Sequence, residues 1–390
     1  MLAAVAAETF PGERRVALVP GDLSRLGRRG IQVLVQAGAG SRAGYADADY
    51  RAQGATVVAG RAELFERAET VLQVRGLGAN PAGAEQDLRL LRPSQVLAGL
   101  MDPLGRPRLV AAASEQGLSV FALELIPRIT RAQSLDGLSS MASVAGYRAV
   151  LVAALRLPKL FPMMMTAAGT ISPARVFVLG AGVAGLQAIA TAKRLGAVVS
   201  AYDVRPEVKE QVESVGGRFV SLGLETAEAS GAGGYARAQS QQFYRRQQER
   251  MADTVRASDV VITTAAVPGR PAPKLVSQAM VEQMRAGSVL VDLAAETGGN
   301  CELTRAGAEI EHHGVWVLGP ANVPSDLPYH SSQLYSRNLT SLLEHLSDQQ
   351  GQLRFDLDDE ITVATLVAHA GEIRSQRIRD SLNSSQESCS

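Results

Sequence analysis

Short apolar, β-branched runs alternate with Ala/Leu/Arg stretches of helical period along the first third of the chain. Residues 15–19, 32–35, 70–74, 96–100 and 118–122 read as strands. Strands alternating with helices at this spacing predict a parallel sheet covered by helices. A polar loop at 126–136 follows, then a long helical pattern over 138–157 that Pro158 stops. A second alternating series starts at Arg175, with strand patterns at 175–179, 197–202, 218–220, 259–263, 288–293 and 315–318. Strands in this order fit a complete doubly wound sheet. From Leu334 the pattern is helical again, and the Ser-rich 381–390 reads as a disordered tail.

These patterns predict an α/β protein of two Rossmann-like domains, each on a parallel doubly wound sheet, separated by a cleft. The first domain is discontinuous, 1–137 plus 325–380, with the C-terminal helices packing back on it. Residues 138–160 connect, and 161–324 form the second domain.

Composition narrows the function classes. A chain of 390 residues, 46% hydrophobic and 20% charged, is long enough for two or three ordinary domains. Its formal net charge of zero does not indicate a nucleic-acid face. Cys301 and Cys389 make neither a disulfide framework nor a zinc site and suit a reducing compartment. No metal is expected. The start is apolar but lacks a basic n-region, the first basic residue being Arg14, so a signal peptide is not expected. The apolar stretch 144–157 is interrupted by Arg148 and closed by Arg156 and Pro158. No run reaches the roughly 18 uncharged apolar residues a membrane helix needs. Work at a membrane would then require docking to another chain.

The sharpest motif is Gly180-Ala181-Gly182-Val183-Ala184-Gly185, directly after an apolar strand and opening an Ala-rich helix. Gly180 permits a tight turn, Gly182 leaves room for a pyrophosphate, and Gly185 lets helix and strand approach. The helix N-terminus then offers free N–H groups and a positive dipole end to phosphates. The next strand ends in Asp203. A carboxylate there accepts from both ribose hydroxyls and repels a 2′-phosphate, which favours NAD over NADP; Arg205 nearby is a group that accepts such a phosphate.

The loop 127–139 carries Arg128, Gln133, Asp136 and Ser139 and is expected over the cleft. Two readings stand: these groups grip a carboxamide and a pyrophosphate, or Asp136 or Ser139 caps the following helix and the arginines are solvated. No His precedes His312 and no Lys precedes Lys159. The usual proton carriers of alcohol, keto-acid or imine dehydrogenases are thus missing from the first domain, although Asp or Glu can substitute and His330 can reach back. Hydride exchange between two nicotinamides needs positioning alone. His330 and the pair His312–His313 read as surface or loop histidines. Glycines at 231–234 beside Tyr235 predict either a hinged cover for adenine or a surface insertion.

Together these segments resemble the NAD(H)-binding component of proton-translocating NAD(P) transhydrogenases, which is related to alanine dehydrogenases. The resemblance rests on 161–170, on the Gly180–Gly185 turn with 186–197, and on Asp203-Val204-Arg205. It rests also on the Arg128–Ser139 loop, on Gly233-Gly234-Tyr235-Ala236 and on Gly298-Gly299-Asn300-Cys301, and it runs from about Gly12 to about Thr365. It implies that Arg128, Ile129, Gln133, Asp136 and Ser139 hold the nicotinamide and its carboxamide, with Gln133 bridging toward NADP(H) on a partner. It implies cofactor contacts at Gly180, Gly182, Val183, Ala184, Gly185, Asp203, Val204, Arg205, Gln247 and Ala266, and a mobile loop, Gly234 and Tyr235, closing over NAD(H). It implies hydride transfer directly between NADH and NADP+, coupled to proton movement through membrane-spanning partner subunits. The chain would be a cytoplasmic homodimer clasped by the Met-rich 161–172, peripheral to an inner or thylakoid membrane. Absence of membrane helices suggests the enzyme form split into three polypeptides. Gln73 and Met101 stand where relatives tend to have Lys and His, which argues against the alternative, a stand-alone amino- or keto-acid dehydrogenase of the alanine dehydrogenase type. A third reading is an NAD-responsive regulatory module without turnover.

Overall fold

The computed structural model describes residues 1–222, 241–267 and 269–387. The chain divides into two compact units, Met1–Met141 with Ser325–Ser390, and Ala142–Pro324.

In the first unit the chain lays down β1 (Leu2–Val5), β2 (Gln32–Gln36), β3 (Thr56–Val58), β4 (Thr70–Arg75), β5 (Val96–Leu100) and β6 (Ser119–Ala122). All neighbours among them are parallel. The first strand differs from expectation. Residues 15–19 join no sheet, because Val16 N and Val19 N donate to the hydroxyls of Ser332 and Ser336, each at 3.0 Å. Side chains of the helix Pro328–His345 therefore satisfy this backbone, and the alanine-rich Leu2–Val5 takes the strand position.

The second unit adds a short exposed hairpin, β7 (Met164–Thr166) with β8 (Gly169–Ile171). Its main sheet comprises β9 (Arg175–Leu179), β10 (Val198–Tyr202), β11 (Arg218–Phe219), β12 (Val260–Thr263), β13 (Val289–Asp292), β14 (Ala308–His312) and β15 (Val315–Gly319). The order is β11-β10-β9-β12-β13-β15-β14, parallel except for the β14–β15 hairpin at the edge. The direction of winding reverses between β9 and β12, the place where doubly wound sheets open a crevice at their carboxyl ends.

On returning to the first unit the chain forms β16 (Leu366–His369) and β17 (Glu372–Ile373). Antiparallel pairing of β16 to β6 completes the order β17-β16-β6-β5-β4-β1-β2-β3. The winding reverses here between β1 and β4. Each sheet is covered by apolar clusters on both faces, as a buried parallel sheet requires. Instead of a disordered tail from 381, the helix Gln376–Glu387 follows. Ile378 is fully buried and Leu382, one turn on, packs on the same cluster.

The helix Gly137–Arg156 is, among the described helices, the one long and apolar enough to cross a membrane by length and composition. Its Ala149, Val150 and Ala153 are buried in the second unit's core. At Gly146 the helix backbone passes so close to Ala184 that an added Cβ would lie 2.0 Å from the Ala184 carbonyl oxygen.

Candidate dinucleotide site

β9 delivers the chain into the glycine turn at the reversal point of the second sheet. Gly180 has φ +96°, a left-handed conformation that glycine adopts without strain. A Cβ at Gly185 would stand 1.8 Å from the Gly180 carbonyl oxygen, so helix and strand meet backbone to backbone. At Gly182 the same test finds nothing within 4 Å: the space above this residue is open. The helix Val183–Arg194 begins there with no side-chain cap on its first turn. Its leading N–H groups have no carbonyl one turn back, which makes a cradle for an anion. Thr264, just after β12, closes the other side by donating to the Gly180 carbonyl at 3.0 Å.

Asp203 follows β10 and is buried. Its Oδ2 accepts from Ala181 N at 2.7 Å, which ties the end of β10 to the glycine turn. Arg205 closes a fork on it: Nε and Nη2 each donate at 2.9 Å, and Arg205 N donates at 2.9 Å as well. Together these four donors fill the lone-pair sites of the carboxylate. Hydrogen bonding to Asp203 raises the Arg205 guanidinium above its ordinary value, so this cation is held against the acid. A ribose hydroxyl reaching Asp203 must displace part of that fork. Val204 is partly buried against the cluster on this face.

Gln247 lies on the helix Gln241–Arg256 and is buried, and its Oε1 has no hydrogen-bond partner. Ala266 is exposed after β12. Gly234 and Tyr235 lie outside the described residues. The open space at Gly182, the uncapped helix start and the orphaned Gln247 acceptor fit a dinucleotide with its pyrophosphate at the turn.

The loop residues belong to the first unit. Thr130–Leu135 is a turn of 3-10 helix pinned by buried Ala132 and Leu135 and by Asn338, which donates to the Ser134 carbonyl at 2.9 Å. Arg131 is taken up by Asp359 at 2.5 Å. Arg128 and Gln133 are exposed, and Ile129 packs on the core. Asp136 caps the long helix: Ser139 N donates to Oδ1 at 2.8 Å and Ser139 Oγ to Oδ2 at 2.5 Å. Such a cap contributes about 1 kcal/mol. The capping reading of Asp136 and Ser139 is thus present in the structure, and it leaves Gln133 displayed on a rigid platform.

A second group at the first sheet's reversal point has no counterpart in the sequence reading. Glu8, just beyond β1, accepts from Val74 N at 2.6 Å and Arg75 N at 3.1 Å at the end of β4. Glu13 and Arg15 form a buried fork of 2.7 and 2.6 Å, and Arg75 sits over the Phe10 ring. Burial, reinforced by the Glu13 charge, pushes the Glu8 carboxyl up to about 8. Burial likewise pushes Glu124 up to about 7, although Met101 N and Asp102 N donate to it. The signal was the cluster Glu8, Glu13, Arg15 ahead of an apolar run; acids placed to shift toward neutrality mark candidate chemistry.

A parallel sheet, a glycine turn at its reversal point and a carboxylate ending the neighbouring strand define the dinucleotide-binding class of α/β proteins. Residues 4–145 match the family model "Alanine dehydrogenase/PNT, N-terminal domain" and 149–376 match "Alanine dehydrogenase/PNT, C-terminal domain". The first of the polypeptides that make up NAD(P) transhydrogenase subunit alpha in Rhodospirillum rubrum is 43% identical over 380 residues, covering 96% of this chain and 97% of that protein. Alanine dehydrogenase of Halomonas elongata is 31% identical, covering 96% and 94%. The crystal structure of transhydrogenase from Sinorhizobium meliloti superposes with a TM-score of 0.84 at 42% identity, covering 96% of this chain and 100% of that one. The chain belongs to the alanine dehydrogenase/PNT family, among the NAD(P) transhydrogenase alpha subunits. The motif resemblance and these matches agree.

Two measurements probe this geometry. Gly182→Val leaves the unfolding free energy nearly unchanged, because the new side chain meets nothing, yet weakens dinucleotide binding at least tenfold in a fluorescence titration; unchanged binding would remove the pyrophosphate from this turn. Glu8 binds its proton more tightly in the folded chain than at its ordinary value of 4.5. The folded state therefore holds a proton that the unfolded state has lost, and Glu8's contribution to stability falls as pH rises from about 4.5 to about 8. Thermal unfolding of the native chain against Glu8→Gln shows this as a difference that grows across that window in favour of the variant; a flat difference refutes it.

Proposed function

We propose that this chain is the NAD(H)-binding subunit of a proton-translocating transhydrogenase and passes hydride directly to NADP+ held on a partner subunit. The observation that carries the reading is Asp203 held against the glycine turn through Ala181 N. A carboxylate at that place accepts from a ribose diol and repels a 2′-phosphate, which assigns NAD(H) to this chain and NADP(H) to the partner. The bound dinucleotide supplies the hydride. The chain's own work is positional: the uncapped helix start of Val183 and Ala184 receives the pyrophosphate, buried Gln247 offers its acceptor to the adenosine end, and the pinned loop presents Arg128 and Gln133 to the carboxamide. No proton need move with the hydride. Proton translocation resides in membrane-spanning partner subunits, to which this chain docks peripherally.

Glu8 and Glu124 favour a second reading, because carboxyls raised to about 8 and about 7 can serve as acid and base where His and Lys are missing. That reading is a stand-alone amino- or keto-acid dehydrogenase.

The hairpin β7–β8 exposes Met163, Met164, Met165 and Ile171. An apolar surface of this kind seeks cover, and the cover proposed is the same hairpin region of a second copy.

One titration and one assay test the assignment. The isolated chain is expected to bind NADH at least tenfold more tightly than NADPH, about 1.4 kcal/mol; the reverse preference overturns it. Mixed with the NADP(H)-binding partner, it supports NADH-dependent reduction of NADP+, and Gln133→Asn slows that transfer far more than it weakens NADH binding. Without partner, pyruvate and ammonia leave NADH unoxidised; turnover there with none in the partner mixture establishes the second reading. Sedimentation at micromolar concentration gives a dimer, and Met165→Glu shifts it toward monomer; a native monomer dismisses the hairpin's role.

A further inference from the structure

The pair His312–His313, which reads as surface histidines in the sequence, acquires a third member in the folded chain. Among the described residues, Glu282, His312 and His313 form the one group of His and acidic side chains placed to hold a metal ion. One ligand atom from each lies within 4.8 Å of the others. β14 ends at His312, paired across the hairpin with Val315. His313 and Gly314 make the two-residue turn with φ +50° and +74°, the type I′ geometry that matches the twist of a hairpin. Asn or Gly fills the first turn position with least strain; here an imidazole occupies it.

The carboxylate comes from another element. Glu282 ends the helix Gln278–Glu282 and its Oε1 lies 2.9 Å from His312 Nε2. Gln278 donates to the same oxygen at 2.8 Å and so fixes the carboxylate's orientation. Hydrogen bonds from Gln278 and His312, with the nearby histidines, hold the Glu282 carboxyl below its ordinary value, in the charged form that ligates. The two imidazole rings are 4.7 Å apart.

We propose that Glu282, His312 and His313 bind one divalent transition-metal ion of the zinc class at this sheet-edge hairpin. Two imidazoles and one carboxylate suit such an ion, with water as a fourth ligand. A tetrahedral ion with bonds of about 2.0–2.2 Å sets its donor atoms roughly 3.4 Å apart. The His312–Glu282 pair already meets that spacing, and rotation of the exposed His313 ring brings in the third donor without backbone movement. The ion takes the place of the proton shared between His312 and Glu282. It clasps the outermost strand of the sheet to the helix that precedes β13.

The test uses the full chain without a histidine tag, stripped with a chelator and dialysed. Calorimetric titration with ZnCl2 is expected to give one equivalent per chain at micromolar Kd, and MgCl2 none. His313→Asn keeps the turn, because Asn tolerates positive φ, and weakens zinc binding at least tenfold; Glu282→Gln does the same. Circular dichroism confirms that both variants are folded. Absence of saturable zinc uptake, or uptake unaltered by His313→Asn, overturns the proposal.

Discussion

Everything at the nucleotide end of the second unit depends on how closely one helix start is allowed to lie against its surroundings. The first turn of Val183–Arg194 is bare on two sides. Gly185 meets the carbonyl of Gly180, and Gly146 of the long helix meets the carbonyl of Ala184, each at a distance that no Cβ could share. Those approaches point the N–H groups of the turn into open space at Gly182. Ala181 N, next in line, is bound to Asp203. The acid that distinguishes riboses is therefore part of the same rigid unit as the turn that receives phosphates. Strength of anion binding and choice of ribose are set by one piece of backbone.

Much of this was legible in the sequence because glycine spacing and β-branched runs are local signals. The strands around Arg175–Leu179, Val198–Tyr202, Val260–Thr263 and Val289–Asp292 lie where the pattern puts them, since a strand buried on both faces is written as an apolar run. The failures are equally physical. Residues 15–19 carry a strand-like pattern, but two serines of a distant helix satisfy their amides. Leu2–Val5 is too rich in alanine to announce itself. Edge strands β14, β16 and β17 alternate weakly, and their pairing is fixed by contacts far away in sequence. The tail forms a helix because Ile378 and Leu382 share one face, a signal outweighed by its serines.

At the site level, what was readable was residue type, and what was not was partnership. Asp203 and Arg205 stood as rivals in the sequence, one favouring a diol and the other a phosphate. In the folded chain they are partners in a single fork, so the arginine screens the acid it was set against. Asp136 and Ser139 turn out to be engaged with each other at a helix start. Glu8 and Glu124 were invisible as candidates, because burial and not identity moves their titration toward neutrality.

The return of the chain to its first sheet has a bearing on biosynthesis. β16, which pairs with β6, is more than two hundred residues downstream of it, and the whole Ala142–Pro324 unit is translated in between. On the ribosome the inserted unit is complete while its host still waits for an edge strand and for the helix Pro328–His345. Folding during synthesis thus runs from the inside of the gene outward: the nucleotide-binding body matures first, and the earlier-made segment stays dependent on protection until its closing strand emerges.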